Sequence, residues 1–335
     1  MDKDEQIKIE KIVKMIEQAR QNALQSVNAE LIMLYWNVGE HLSTECAKSS
    51  HGDSFIDETA RYIKDNYSEI KGFNKRGLYR MRQFYETYVG SEITSAVLTQ
   101  LSWTNHLLIM SGAKTLEAKE FYIELCVRER YTKRELERQI QSAYYERYVL
   151  SGQKALPADI PKKENVRFMY NYVLEFLHLP EKYPENDLKH AIIQNLKTFI
   201  LEIGKDFTFI GEEYRLQVGL SDYYIDLLFY HRELSCLVAF ELKIDKFQPE
   251  YLGKMNFYLE ALDREHKKPG ENPSIGVILC TGKDEEVVEY ALSRSLSPTM
   301  IAEYKLKLIE KELLEQKLRE FKGLLLEENG KRIKR

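Results

Sequence analysis

Three charged residues stand out because they lie on two apolar, strand-like segments in the C-terminal half of the chain. Asp226 lies within the run YIDLLFY, and Glu241 and Lys243 lie within the FELK that follows. A carboxylate among bulky apolar side chains is costly unless it is paired or holds a cation. Glu241 and Lys243 are two residues apart, so on a strand they point to the same side, whereas Leu242 points into the opposite, apolar layer.

If Asp226 and Glu241 converge, they form a site for a hard divalent cation. Two carboxylates, the Leu242 backbone carbonyl and waters make an incomplete octahedral set suited to Mg²⁺, with Mn²⁺ as the alternative. Such an ion polarises a phosphodiester oxygen and lowers the pKa of a bound water, while Lys243 orients that water and stabilises charge. With a hairpin closed near residues 231–233, regular pairing offsets Asp226 from Glu241, so convergence requires the strands to bend or diverge.

The spacing of the three residues is weak support on its own, because charged residues two apart are common on half-exposed strands. The simpler interpretation is a solvated strand face with a surface salt bridge. The order of the surrounding elements favours the catalytic interpretation. Periodicity predicts a helix over about 187–203, ending at Gly204, and then three strands, Phe207–Val218, Tyr223–Tyr230 and Leu234–Lys243. A helix after Pro249, a strand over Ile275–Cys280 and a helix over about 284–293 follow. This α-β-β-β-α-β order predicts a small mixed sheet with helices on its faces.

The N-terminal half is predicted to be a separate, mainly helical domain over residues 1–150. Apolar spacing predicts helices near residues 7–16, 23–42, 55–67, 115–130 and 132–148. Asn74 is the best helix N-cap, and Thr132 with Glu135 forms a capping box. Residues 151–165 hold two prolines and read as a linker to a domain over 166–297. Residues 298–335 are predicted to form a C-terminal helical extension, running as a helix to about residue 326 and able to pair with a partner helix.

One cluster in the helical half is strongly basic. The segment KGFNKRGLYRMR contains five cations and no acid, and they are Lys71, Lys75, Arg76, Arg80 and Arg82. Cations at a helix N-terminus suit phosphate contacts, and the interleaved Phe73 and Tyr79 either stack on bases or pack inside. A helix-turn-helix-like reader with the helix from Lys75 inserted is one interpretation, and a solvated helix face is the other.

Composition narrows the function classes. The 335 residues carry 49 basic and 53 acidic side chains, a net charge of −4, so any nucleic-acid site must be a local patch. The four cysteines form no CxxC pair, which argues against a zinc knuckle or a dense disulfide framework. No run of 18 apolar residues exists, and the charged amphipathic start does not resemble a signal peptide. We therefore expect a soluble cytoplasmic protein without a membrane span. No P-loop, GxGxxG or GxSxG motif occurs.

Several longer segments together resemble the YhcG family, whose C-terminal domain belongs to the PD-(D/E)XK, restriction-endonuclease-like superfamily. The similar segments span nearly the whole chain, and they are NAELIMLYWNV, GFNKRGLYRMRQF, LSWTNHL, YIDLLFY, FELK, PEYLGKMNFYLEAL, NPSIGVILC and VVEYA. The resemblance implies a nuclease with Asp226 and Glu241 as metal ligands, Lys243 as the water-orienting lysine, and products with 5′-phosphate and 3′-hydroxyl ends. It also implies a nucleic-acid substrate, DNA more than RNA, bound by the N-terminal domain.

One position departs from the family pattern, and a second is a candidate for a further acid that relatives often contribute from the first helix of this domain. Lys254 stands on the helix after the FELK strand, where many relatives carry Gln, and it either contacts phosphate or faces solvent. Asp187, near the start of the first helix of the C-terminal domain, is either a further metal ligand or a charge that complements the helix dipole.

Three functional hypotheses follow. The first is a Mg²⁺-dependent nuclease, for which a two-fold dimer would suit cutting of both strands. The second is a catalytically inactive nucleic-acid-binding or interaction protein that keeps the fold. The third is a helical adaptor that binds a protein partner through its C-terminal helix. The intact set of Asp226, Glu241 and Lys243 favours the first.

Overall fold

The computed structural model describes residues 3–48, 52–150, 170–293, 295, 298–308 and 310–320. The chain divides into two compact units, Met1–Gln141 and Ser142–Arg335. The C-terminal unit therefore begins earlier than the predicted boundary, and it includes the short helix Tyr144–Leu150. A buried ion pair joins this helix to the rest of the C-terminal unit, with Arg147 Nη1 2.7 Å from Glu202 Oε1. The predicted linker 151–165 lies outside the described residues.

The N-terminal unit is helical, as predicted. Its helices are α1 (Lys3–Lys48), α2 (Gly52–Asn66), α3 (Lys75–Tyr88), α4 (Ser95–Leu98), α5 (Trp103–Gly112), α6 (Leu116–Glu129) and α7 (Lys133–Gln141). The two helices predicted over 7–42 are one continuous helix, since no Gly or Pro separates them. Both predicted caps are confirmed. Asn74 Oδ1 accepts from Gly77 N at 2.9 Å, and Glu135 Oε2 accepts from Thr132 N at 2.7 Å.

A small core joins the first three helices. Leu42, Ile56, Leu78 and Met81 are its buried members, and aromatic side chains that include Phe73 and Tyr79 pack against them. The two aromatic residues of the basic cluster therefore contribute to packing within this unit. No helix in the described part of the chain has both the length and the apolar character that a bilayer crossing requires.

The C-terminal unit is built on one six-stranded mixed sheet. After α8 (Tyr144–Leu150), its elements are β1 (Asn171–Val173), a 3₁₀ turn (Glu175–Leu177), α9 (Glu185–Gln194), α10 (Leu196–Ile203), β2 (Phe207–Val218), β3 (Ser221–His231), β4 (Cys236–Leu242), α11 (Glu250–Glu265), β5 (Ile275–Cys280), α12 (Glu285–Leu292) and β6 (Thr299–Lys305). The strand order is β1-β6-β5-β4-β3-β2. The β2–β3 and β3–β4 pairs are antiparallel, and the β4–β5, β5–β6 and β1–β6 pairs are parallel.

The predicted α-β-β-β-α-β order is confirmed within this sheet, with three corrections. The single helix predicted over 187–203 begins two residues earlier and is divided at Asn195, whose φ of −111° and ψ of 25° are not helical. The strand β1 was not predicted. The prediction of a helix from residue 298 is wrong for Thr299–Lys305, which form β6 between β5 and β1. A parallel strand buried on both faces shows no polar alternation, so its pattern does not separate it from a helix.

The last described part of the predicted C-terminal extension is helical. Residues 311–320 form a helix, and residues 321–335 lie outside the described residues. The predicted partner-binding helix is thus described only over this short stretch.

The two faces of the sheet are covered by different helices. On one face, α11 packs on the sheet through Met255, Tyr258 and Leu262, in a core that includes Ala239. On the other face, Phe199 of α10 lies 6.0 Å, centroid to centroid, from Phe240 of β4. Because side chains alternate along β4, Glu241 falls on the α11 face, next in line after Ala239.

Candidate active site

The register of the β3–β4 hairpin brings Asp226 and Glu241 together. Leu227 pairs with Phe240 and His231 pairs with Cys236, so the register continued by one residue sets Asp226 opposite Glu241. The offset expected from the sequence is therefore wrong. The turn spans residues 232–235, with Ser235 N donating to Arg232 O, and it is longer than the predicted turn. At the end of β4, the Leu242 N–H donates to Asp226 Oδ2 at 2.8 Å. This hydrogen bond fixes the Asp226 carboxylate beside the end of that strand.

Glu241 is the most buried member of the site. Its side chain is 1% exposed, and its Oε1 lies 3.0 Å from Lys243 Nζ and 2.6 Å from Lys254 Nζ. Its Oε2 is buried and has no hydrogen-bond partner among the described residues. A buried carboxylate with an unsatisfied oxygen is costly, so this geometry favours a further cation or donor at Oε2.

Lys243 is held by carboxylates on both sides. Besides Glu241, its Nζ lies 3.0 Å from Glu185 Oε1 and donates to the Leu242 carbonyl at 2.9 Å. Burial by itself lowers the pKa of Lys243, but the charges of Glu241 and Glu185 and the hydrogen bonds to them raise it above its ordinary value. The amine is therefore an ammonium at neutral pH, which suits charge stabilisation rather than proton abstraction.

Asp226 has a perturbed acidity. Burial, followed by the charge of Glu241, raises the pKa of its carboxyl from 3.8 to about 6. Two carboxylates that share a poorly solvated site repel each other, and a bound cation relieves this repulsion. Strong perturbation of this kind is typical of functional sites.

Lys254 reaches the site from α11. Its ammonium contacts Glu241 and also lies 5.3 Å from the centre of the Tyr258 ring. Burial opposes its charge, but the hydrogen bond and the charge of Glu241 hold the pKa of Lys254 well above its usual range. The prediction that Lys254 either contacts phosphate or faces solvent did not foresee this ion pair.

Glu185 was missed by the sequence analysis. It lies in the first turn of α9, directly after Pro184, and its carboxylate contacts Lys243. Asp187, the residue considered there, is exposed. The available signal was the Pro184–Glu185 pair, since a proline followed by an acid is typical of a helix start. Because the helix was predicted to begin at Asp187, Glu185 was left outside it.

The residues present fit a divalent cation. Asp226 and Glu241 are the two carboxylates of the candidate site, and no cluster of three or more His, Cys, Asp or Glu side chains suited to a metal occurs among the described residues. The Leu242 carbonyl, the third oxygen of the predicted set, accepts a hydrogen bond from Lys243 Nζ at 2.9 Å. Mg²⁺ is commonly bound through one or two carboxylates and keeps several waters, so this donor set suits it.

Comparison with known proteins identifies the family. Residues 165–319 match the YhcG PDDEXK nuclease domain, and residues 11–147 match the DUF1016 N-terminal domain. The chain is 30% identical to the putative nuclease YhcG of Escherichia coli (strain K12) over 346 residues, which covers 92% of each protein. The chain belongs to the YhcG family. The resemblance and the fold class expected from the sequence are thereby confirmed, and the C-terminal unit is of the PD-(D/E)XK nuclease type.

Two solved structures show a fainter likeness. A repair endonuclease from Pyrococcus abyssi is 16% identical, with a TM-score of 0.27, covering 38% of this chain and half of that chain. EndoMS in apo form is 17% identical, with a TM-score of 0.26, covering 37% of this chain and 48% of that chain. Structural similarity at this level does not indicate a shared function.

The basic cluster of this YhcG-family chain is only partly available to a ligand. Lys75 Nζ lies 2.8 Å from Asp57 Oδ2, and Arg82 Nε lies 3.6 Å from Glu86 Oε1. Lys71 donates to the Ser68 carbonyl at 3.0 Å. Arg76 is exposed and Arg80 is half-buried, and neither forms an ion pair with any residue that the structure describes. These two arginines are the members of the cluster best placed for phosphate contacts.

Proposed function

We propose that this protein is a divalent-metal-dependent nuclease that hydrolyses phosphodiester bonds, with DNA as the preferred substrate. Asp226, Glu241 and the Leu242 carbonyl would hold Mg²⁺, with Mn²⁺ as a substitute. The observation that carries the proposal is the β3–β4 register, which when continued by one residue beyond Leu227–Phe240 sets Asp226 opposite Glu241, with the Lys243 ammonium 3.0 Å from Glu241. Membership of a nuclease family supports the reaction class.

Each side chain has a distinct role in this reaction. Asp226 and Glu241 would hold the cation, whose chemistry there would be to polarise the scissile phosphate and to lower the pKa of a water. Asp226 is anchored by the Leu242 N–H, and Glu241 is fixed by burial, so both carboxylates are positioned before substrate arrives. Lys243, kept charged by Glu241 and Glu185, orients the attacking water and stabilises the negative charge that develops on the phosphate.

A cleavage assay tests the proposal. The wild-type protein, Glu241→Gln and Glu260→Gln would be incubated with labelled single-stranded, double-stranded and branched DNA and with RNA, each with Mg²⁺ and with EDTA. We expect Mg²⁺-dependent cleavage by the wild type and a loss of at least about a hundredfold in Glu241→Gln. Glu260 is exposed and lies on α11 in an ion pair with Arg264, so Glu260→Gln is the matched control and keeps full activity.

Two outcomes would contradict the proposal. Cleavage that survives EDTA or that persists in Glu241→Gln would place the activity elsewhere or in a contaminant. Binding of nucleic acid without any cleavage by the wild type would favour the inactive binding protein, whereas preferential cleavage of RNA would overturn the choice of DNA.

A further inference from the structure

The carboxylate of Glu241 is contacted by two ammonium groups that are held very differently. Lys243 is 13% exposed and is shared between Glu241 and Glu185. Lys254 is 49% exposed, and Glu241 is the one carboxylate within ion-pair distance of it among the described residues. Loss of the contact to Glu241 thus leaves Lys243 paired but returns Lys254 to solvent.

The stem of Lys254 is positioned by the helix and by an aromatic ring. Lys254 and Tyr258 are four residues apart on α11 and therefore lie on the same face of the helix, and the ammonium lies 5.3 Å from the ring centre. The Tyr258 hydroxyl donates to the Tyr224 carbonyl at 2.7 Å, which ties this face of α11 to β3. The Lys254 ammonium is consequently held near the site and is also partly exposed to solvent.

A divalent cation and Lys254 compete for the same carboxylate. Glu241 Oε2 has no partner among the described residues, whereas Lys254 Nζ lies 2.6 Å from Oε1. A cation bound at Oε2 comes within a few ångströms of this ammonium, and like charges repel strongly in a poorly solvated site, so the contact of Lys254 with Glu241 is lost when the metal ion binds. Without metal, however, the Glu241 carboxylate is 1% exposed, and a buried carboxylate is costly unless positive charge lies against it. Lys254 supplies such a charge together with Lys243.

We propose that Lys254 is an internal counter-cation that occupies Glu241 in the metal-free protein and is displaced when a divalent cation binds. This inference rests on the proposed metal site. Lys254 thus weakens metal binding and stabilises the empty site, and both effects come from its charge. It acts as a positioning residue through Glu241.

Direct measurement of metal binding tests the inference without reference to cleavage. The full-length wild type, Lys254→Gln and Lys254→Met would be titrated with Mn²⁺ by calorimetry. We expect Mn²⁺ to bind at least about fivefold more tightly to both uncharged variants, since a competing unit charge has been removed. Lys254→Arg keeps the charge and retains nearly the wild-type affinity.

A second measurement and a matched control separate charge from folding. The melting temperature without metal falls in Lys254→Gln and Lys254→Met, and the rise on adding Mn²⁺ is larger than in the wild type. Arg264→Gln removes a positive charge from an exposed pair on the same helix, so it leaves Mn²⁺ affinity unchanged.

The possible results distinguish the inference from the proposed function. Wild-type Mn²⁺ binding that is lost in Glu241→Gln, with unchanged or weaker binding in both uncharged Lys254 variants, overturns the counter-cation and leaves the metal site standing. Absence of any Mn²⁺ binding that depends on Glu241 overturns both.

Discussion

At the scale of single residues, the site is a compromise between stability and chemistry. Asp226 and Glu241 are both poorly solvated and face each other, and burial with the charge of Glu241 raises the pKa of Asp226 to about 6. Two ammonium groups offset part of this repulsion at Glu241. Such an arrangement is unfavourable for the empty protein and favourable for one that holds a cation, so its cost indicates a binding role.

Replacing Asp226 with Asn is expected to stabilise the metal-free protein. The uncharged amide keeps an acceptor for the Leu242 N–H but removes the repulsion by Glu241, so we expect a gain of about 1 to 3 kcal/mol in the free energy of unfolding at pH 7.5. Chemical denaturation in EDTA measures this gain. We also expect Asp226→Asn to abolish metal-dependent cleavage.

The pH dependence of this gain has a defined sign. Because the folded-state pKa of Asp226 lies above its ordinary 3.8, the folded protein binds the proton more tightly, and this contribution to stability is lost as the pH rises through about 6. The advantage of Asp226→Asn over the wild type should therefore be small near pH 4 and grow up to neutral pH. Asp222 lies on β3, like Asp226, and forms an exposed ion pair with Arg215 of β2, so Asp222→Asn is the control. An equal gain in the control would contradict this explanation.

At the scale of elements, close backbone contacts decide which substitutions the helices tolerate. A Cβ at Gly39 of α1 would lie 2.8 Å from the Met81 carbonyl carbon and 3.0 Å from Tyr85 Cβ, and closer still to the Met81 carbonyl oxygen. The glycine therefore allows α1 and α3 to approach each other. Gly253 of α11 has no atom within 4 Å of the same position, so its glycine serves no packing purpose.

Alanine at these two glycines is expected to have opposite effects. Gly39→Ala pushes α1 away from α3 and should destabilise the N-terminal unit by about 1 to 3 kcal/mol, as overpacked sites do. Gly253→Ala should stabilise the protein by up to about 1 kcal/mol through helix propensity alone. Thermal and chemical unfolding of the two variants provide the comparison. A stabilising Gly39→Ala would show that the helix crossing is looser than described.

At the scale of the whole molecule, the candidate active site and the candidate phosphate-binding residues lie in different units. The carboxylates and lysines of the site belong to the C-terminal unit, and the basic cluster around α3 belongs to the N-terminal unit. Arg76 and Arg80 have no ion-pair partner among the described residues, and Lys71 is bonded to the Ser68 carbonyl. This division predicts that substrate affinity and the chemical step respond to different substitutions.

The double variant Arg76→Gln/Arg80→Gln should weaken nucleic-acid binding without removing catalysis. Loss of two phosphate contacts reduces the salt dependence of binding, the slope of log K against log salt, by about 2. Fluorescence anisotropy at several salt concentrations measures this slope, and cleavage at saturating substrate should remain near the wild-type rate. The control is the double variant Lys133→Gln/Arg134→Gln on α7, which removes two positive charges from outside the cluster. If both double variants behaved alike, the cluster would have no special role.

The sequence by itself determined the local elements and the residue types of the site. The strands Phe207–Val218 and Ile275–Cys280 agree with β2 and β5 at both ends. Apolar residues punctuate polar ones along β2, whereas β5 is a short, continuous apolar run, and turn residues bound both strands. The Asn74 cap and the Thr132–Glu135 capping box are equally local. Asp226, Glu241 and Lys243 were identified because a charge within an apolar strand stands out, and the family resemblance followed from segments along the chain.

Only the tertiary structure decided how these residues meet. The turn begins at Arg232 rather than at His231 and has four residues rather than three, and both differences are needed to set Asp226 opposite Glu241. A one-residue change in register would move the Asp226 side chain to the other face of the sheet. The contacts of Glu185 with Lys243 and of Lys254 with Glu241 join elements far apart in sequence. Likewise, β6 is a strand because β1 and β5 flank it. Local patterns record propensity and burial, whereas register and the packing of distant elements are set by the whole fold.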